Sequence, residues 1–372
     1  MATSHPADNL KAAAILVVGS GLFGLTTAFE LSQRGYTNIT VLDRFLPPVP
    51  DGSSVDISRI VRVDYADPTY SQMASEALAR WKTDYKQWYY PAGYALLAHQ
   101  KDHPYIKKSK EQLLRQGQGS LIREYHNKEE LRKQHPMLTP SPDSTSGYEN
   151  PDAGWANAAG SIQHLARLCS IRGVCFITGK RGTVLSLDIV GNNVKGVKVA
   201  SGEQIAADRV ILACGAWTNR LVDLGGATVA TGQPVGFIQL THEEAERLRE
   251  MPICINYTTG VFIFPPTPDT NVLKLARHGY GYETSVAVAA SVSRSNVSAP
   301  LLVKKDVENP YIPPDASDAL REGLAEILPE FARRPWLKTR LCWYMDTETG
   351  DFIMDHHPKI GNLFIAAGGS GQ

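Results

Sequence analysis

The sequence predicts an α/β (α+β) fold in which a Rossmann-like dinucleotide-binding domain is interleaved with a second domain built on an antiparallel sheet. Three observations carry this expectation. A glycine turn, Gly19-Ser20-Gly21-Leu22-Phe23-Gly24, lies between an apolar run and a helical pattern. A second apolar run ends on an acid, Asp43, about 20 residues further on. The stretch 232–303 is rich in β-branched residues and turns, the composition of paired strands.

In chain order, Ala14 to Val18 reads as a strand, the residues from the glycine turn through Glu30 to Arg34 as a helix, and Asn38 to Leu42 as a second strand. Together they form one parallel βαβ unit. Tyr70 to Gln87 has a polar helical pattern, an aromatic stretch follows at Trp88, Tyr89 and Tyr90, and Lys101 to Gln134 reads as a further charged helical region. Pro140 to Ser146 marks a loop. Val184 to Val199 alternates apolar and polar residues around Gly191-Asn192-Asn193, which predicts a hairpin. Arg209 to Ala213 is a buried strand, Asp315 to Leu328 a helix, and Leu363 to Ala367 a last apolar strand running into Gly368-Gly369-Ser370-Gly371. The expected division is 1–90, 150–230 and 340–372 for the dinucleotide domain, and 91–149 and 231–339 for the substrate domain.

Bulk properties narrow the function classes. The chain has 372 residues and no formal net charge. A neutral balance removes the electrostatic case for nucleic acid or an anionic membrane as partner. No apolar run approaches the roughly 18 residues needed to span a bilayer, and the N-terminal stretch lacks the apolar segment of a secretory signal. Five cysteines, Cys169, Cys175, Cys214, Cys254 and Cys342, show neither disulfide nor zinc spacing, which favours a reducing compartment. His356-His357 has no metal-ligand spacing to complete it and reads as structural.

The glycine motif has a direct chemical meaning. Gly19 permits the tight turn, Gly21 lets backbone approach a pyrophosphate, and Gly24 lets helix and strand pack closely. Leu22 and Phe23 supply N–H groups at the helix start, where the dipole favours phosphate. Asp43, followed by Arg44, is placed to accept from ribose hydroxyls. This motif alone leaves FAD and NAD both open.

Four ordered segments resemble the family of monomeric sarcosine oxidase, saccharopine oxidase and fructosyl amino acid oxidase, closest to its fungal saccharopine oxidase-like members. They are Ser58-Arg59-Ile60-Val61-Arg62 with Tyr65; Val210 to Trp217, including Gly215; Leu273-Lys274-Leu275-Ala276-Arg277-His278; and Cys342 followed by Gly350 to Pro358 and Ala366 to Gly371. The resemblance implies FAD as cofactor. It implies that Arg62 pairs with a substrate carboxylate, that Arg59 lies close to the flavin, that Lys274 activates oxygen, and that His278 lines the substrate site. Cys342 aligns with a cysteine that many members join covalently to the flavin. Ser58, Gly215, Trp217, Gly369 and Gly371 fall on cofactor-binding segments of the family.

Two departures stand out. The family continues past Ser370 with a Gly-x-Lys segment whose lysine assists the carboxylate clamp, and here the sequence given stops at Gln372. Phe262 stands where sarcosine oxidases carry a tyrosine. The expectation is an FAD-dependent oxidase of a secondary amine or amino acid, giving an imine and hydrogen peroxide. Its partners are then a small amine and dioxygen, its state monomeric and its location cytoplasmic or peroxisomal. The alternatives are an oxidase of an N-methylated or cyclic amine in a biosynthetic pathway, an NAD-linked dehydrogenase, and a truncated non-catalytic flavoprotein.

Overall fold

The structure is a computed structural model that describes residues 11–119, 122–143, 145–288, 292, 295–301 and 312–371. Residues 1–10, part of the β-rich stretch (289–291, 293–294 and 302–303) and Gln372 lie outside these.

The expected βαβ unit is present. Strand Ile15–Val18, helix Leu22–Gln33 and strand Ile39–Leu42 follow one another, and the two strands pair in parallel. Four further strands complete a six-stranded sheet: Cys175–Ile177 beside Ile39–Leu42, then Arg209–Leu212, Leu363–Ala367 and Ile353–His356 on the other side of Ile15–Val18. All pairs are parallel except the last, which is antiparallel. Its central strand Ile15–Val18 is buried throughout, because helices cover one face of the sheet and strands Val184–Val190 and Asn193–Val199 cover the other. Leu25 and Ala28 of the helix pack on one face with Ile162, Leu165 and Cys169 of helix Ala158–Ile171.

The second layer is an eight-stranded sheet. It runs in the order Lys338–Thr347, Thr228–Gln239, Val272–Arg277, Val261–Ile263, Ile253–Asn256, Tyr94–Ala98, Ser146–Asn150, Arg123–Tyr125. Its pairs are antiparallel apart from Ile253–Asn256 against Tyr94–Ala98. Because side chains alternate between faces, each strand contributes every second residue to each side. One side carries Ala95, Leu97, Cys254, Ile263, Leu273, Leu275 and Ile238, and it is sealed by Ala316, Leu320 and Leu324 of helix Pro314–Ala325. The other side faces the rest of the molecule.

Two sequence expectations need correction. The charged region 101–134 is not one helical stretch: helix Pro104–Arg115 ends before Gly117, which adopts φ +72°, and strand Arg123–Tyr125 separates it from helix Lys128–Gln134. The β-rich stretch also contains the helix His242–Leu248, which begins on a capping box from Thr241 and Glu244. The hairpin Val184–Val190 with Asn193–Val199 and the final strand Leu363–Ala367 are where the residue pattern put them.

Candidate active site

Every second residue of the long strand Lys338–Thr347 points away from the helix-covered core. In register with its neighbours, one sheet face therefore carries Arg340, Cys342, Tyr344 and Asp346, then Val235, Gln233 and Thr231, then Lys274 and Ala276, then Phe262. The same face continues to Tyr94, Asn150 and Tyr148. Segments of the glycine-turn half of the chain lie against this face, and three groups of side chains result.

The first group surrounds the glycine turn. Gly19 has φ +107°, and a Cβ there would lie 2.3 Å from the Ala213 carbonyl oxygen, so the turn admits only glycine. A Cβ on Gly24 would lie 1.9 Å from the Gly19 oxygen. Helix Leu22–Gln33 has no side-chain N-cap. The Leu22 N–H donates to Ser54 Oγ at 2.9 Å, and Phe23 packs edge-on against Phe352 at 5.6 Å with Gly369 beside it. Asp43 accepts from Ser20 N–H at 2.7 Å, Ser20 Oγ at 2.9 Å and Arg44 N–H at 2.7 Å, while burial pushes its carboxyl up. Arg44 forks onto Asp51 at 2.6 and 2.7 Å, and its guanidinium lies 4.7 Å from the ring centre of Trp217, which follows the tight turn at Gly215.

The second group centres on Asp56, a buried carboxylate the sequence pattern did not single out. Lys274 Nζ lies 2.7 Å from Asp56 Oδ2, Arg340 3.3 Å and Arg59 3.8 Å. Lys274 is buried, donates to the Ser58 carbonyl at 2.6 Å and sits 4.5 Å from the Phe264 ring centre. Burial raises the Asp56 carboxyl, but the three cations outweigh it and hold it well below the usual range. Burial pulls Lys274 down, Asp56 pulls it up, and Arg59 and Arg340 push it down again, for a net lowering. Cys342 borders this cluster: burial raises its thiol, yet Arg59, Arg340 and Lys274 bring it below its ordinary value. One carboxylate beside three cations leaves a net positive pocket, which favours a thiolate.

The third group holds Arg62 and His278. The Arg62 guanidinium lies 3.9 Å from the Tyr65 ring centre and 5.6 Å from that of Tyr94, and it donates to Tyr105 Oη at 3.2 Å and to the Asp64 carbonyl. His278 sits 5.6 Å from the Tyr344 ring, with Gly371 against it. Burial lowers His278, Asp346 raises it, Arg62 lowers it, and the net is below the usual histidine value.

The residues fit a flavin dinucleotide. The cradle at Gly19 and Gly24 excludes any Cβ, and the N-cap residue Gly21 has no side chain of its own to occupy the helix start. Ser58 Oγ, Trp217 Nε1 and the Arg340 Nε are buried with no hydrogen-bond partner, and all three adjoin groups that the sequence assigned to cofactor binding. Cys214, by contrast, donates to the Val18 carbonyl at 3.2 Å and packs at the sheet end. Among the described residues no group of three or more His, Cys, Asp or Glu side chains could hold a metal ion, and no helix is long and apolar enough to cross a membrane.

Asp56, Arg340 and Asp64 were not foreseen. The available signal was alternation for one of them: Arg340 and Cys342 are two apart on strand Lys338–Thr347, so they share a face.

Comparison with known proteins gives the family and its relatives. The family described as FAD dependent oxidoreductase (DAO) matches residues 14–372. The chain is 34% identical over 380 residues to the L-saccharopine oxidase of Schizosaccharomyces pombe, covering 96% of this chain and 86% of that protein. It is 25% identical to a monomeric sarcosine oxidase of Bacillus sp., covering 96% and 87% of the two chains. Among solved structures, the fructosamine oxidase (Amadoriase II) of Aspergillus fumigatus in complex with FSA superposes with a TM-score of 0.85 at 29% identity, covering 97% of this chain and 83% of that one.

Proposed function

Because the chain belongs to the DAO family of FAD-dependent oxidoreductases, we propose that it oxidises a secondary amine that also bears a carboxylate, releasing an imine and hydrogen peroxide. The observation that carries this reading is the arrangement of two cations, the half-buried Arg62 and the buried Lys274, at one face of the eight-stranded sheet with Cys342 and His278.

Bound FAD supplies the two-electron acceptor and the route to dioxygen. The protein's own residues supply binding, orientation and charge. The glycine turn, Asp43 and the start of helix Leu22–Gln33 hold the dinucleotide, while Ser58, Trp217, Gly369 and Gly371 border it. Arg62 holds the substrate carboxylate, because a guanidinium offers two parallel charge-assisted donors to a planar anion. His278, kept below its ordinary value, is neutral at pH 7 and can accept a proton from the substrate ammonium, leaving the nitrogen lone pair free. Lys274, locked by Asp56 and the Ser58 carbonyl, presents a fixed positive charge where dioxygen would gain negative charge. Phe262 brings an apolar ring without a hydroxyl to the same face, which favours a substrate other than sarcosine itself. The cluster around Cys342 supports a covalent thioether to the flavin. We further take the protein to be a monomer of the cytoplasm or peroxisome, consistent with five free cysteines.

The test is an oxygen-consumption screen of the flavin-loaded protein over sarcosine, pipecolate, saccharopine and fructosyl amino acids, with peroxide measured alongside. Peroxide formed in step with oxygen uptake on one of these amines is expected. Flavin that no carboxylate-bearing secondary amine reduces under anaerobic conditions would overturn the reading.

A further inference from the structure

Beneath Arg62 lies a second charged side chain that the chemistry above does not use. Asp64 is fully buried, two residues along the same segment. Tyr148 Oη donates to its Oδ1 at 3.0 Å and Asn150 Nδ2 to its Oδ2 at 3.1 Å, both from strand Ser146–Asn150. Among the described residues no lysine or arginine pairs with this carboxylate directly. Arg62 uses Nη1 alone for the Asp64 backbone carbonyl and for Tyr105, whose hydroxyl also donates to that carbonyl at 3.3 Å. The guanidinium is thus held over Tyr65, with the Asp64 carboxylate tied off behind it to a different sheet strand.

We propose that Asp64 is a positioning residue for the carboxylate clamp: it anchors the Arg62 segment to strand Ser146–Asn150, and its negative charge limits how tightly Arg62 holds a substrate carboxylate. This rests on the reading of Arg62 as the cation that meets the substrate. The physical argument is competition. Two carboxylates, one belonging to the protein and one to the ligand, share a single guanidinium in a site shielded from water, where charges interact strongly. An ionised Asp64 offsets part of the positive potential that the ligand would otherwise meet, and so permits release as well as capture.

Protonation supplies the test. Burial raises the Asp64 carboxyl, Arg62, Asn150 and Tyr148 lower it, and the balance is about 6. Above that value Asp64 is charged and below it neutral, so ligand affinity should rise as pH falls through this range. The groups facing Arg62 and Asp64 are Tyr65 and Arg62 on their own segment, Tyr94 and Tyr148 from the sheet, Tyr105 from helix Pro104–Arg115, Tyr257 after strand Ile253–Asn256, and His278. Tyr65, Tyr94, Tyr148 and Tyr257 are pushed above their ordinary value and stay protonated. His278 titrates below its usual value, so any change it causes lies on the acid side and persists in the Asp64 variant.

The experiment measures binding of (methylthio)acetate to the flavin-loaded protein from pH 5 to 8, following the flavin absorbance. This probe has sulfur in place of nitrogen and cannot become an imine. At pH 8, Asp64→Asn should bind it about tenfold more tightly than wild type, and the inflection near pH 6 should vanish. Tyr148→Phe, which removes one donor from the carboxylate, should move the inflection to higher pH and covers the case of a poorly folding Asp64→Asn. Wild-type affinity and profile in both variants would overturn the role of Asp64, while weakened binding in Arg62→Ala would leave the clamp standing. If Arg62→Ala also binds the probe as wild type does, or wild type does not bind it, the clamp falls and Asp64 with it.

Discussion

Lys274 shows how surroundings change what one side chain can do. On an exposed strand it would be a mobile surface charge; here it is 3% exposed and held between Asp56 and the Ser58 carbonyl. A buried ammonium is costly unless a charged partner compensates it, and Asp56 does so. Its position needs no reorganisation when negative charge develops nearby, which is the condition under which a fixed charge aids reaction most. Replacing Lys274 with Met keeps length and apolar packing. Stopped-flow traces of Lys274→Met should show anaerobic reduction by the amine near the wild-type rate and reoxidation by oxygen slowed on the order of 10²-fold. Reoxidation at the wild-type rate would remove Lys274 from the oxygen reaction.

Among the elements, the glycine turn carries the tightest geometry. Gly19→Ala must both hold φ +107° and place a methyl 2.3 Å from the Ala213 oxygen, so strand Arg209–Leu212 or the turn has to move. Purified Gly19→Ala should retain little flavin by absorbance ratio, whereas Gly215→Ala, whose Cβ meets nothing within 4 Å, should lose less despite φ +52°. This turn was legible in the sequence because its chemistry is local, as was the hairpin around Gly191. The region 101–134 was not, since Arg123–Tyr125 buries only Tyr125 and its polar residues carry no strand pattern. Helix Ala158–Ile171 escaped notice as well, its buried face being built partly from small residues such as Ala158 and Ala166. The Asp56 cluster was hidden for another reason: its members come from residues 56, 59, 274 and 340, and no local pattern records that they meet.

For the whole molecule, the proposed cofactor site draws on both sheets. The glycine turn belongs to the six-stranded sheet and Cys342 to the eight-stranded one, so flavin retention and folding are linked. If the flavin is joined through Cys342, the unfolding temperature of wild type should not depend on added FAD. In Cys342→Ser the same temperature should rise with FAD, by the equivalent of about 2.7 kcal/mol at a hundredfold excess over its Kd. A wild-type midpoint that climbs with FAD in the same way argues against a covalent bond.

The six-stranded sheet also fixes a calendar. Its centre, Ile15–Val18, is translated first, yet its partner Arg209–Leu212 follows nearly two hundred residues later and Leu363–Ala367 comes last of the six. A growing polypeptide on the ribosome therefore displays the phosphate cradle long before the wall behind it exists. Capture of a dinucleotide by this turn is therefore expected only once Arg209–Leu212 has been made and paired with Ile15–Val18.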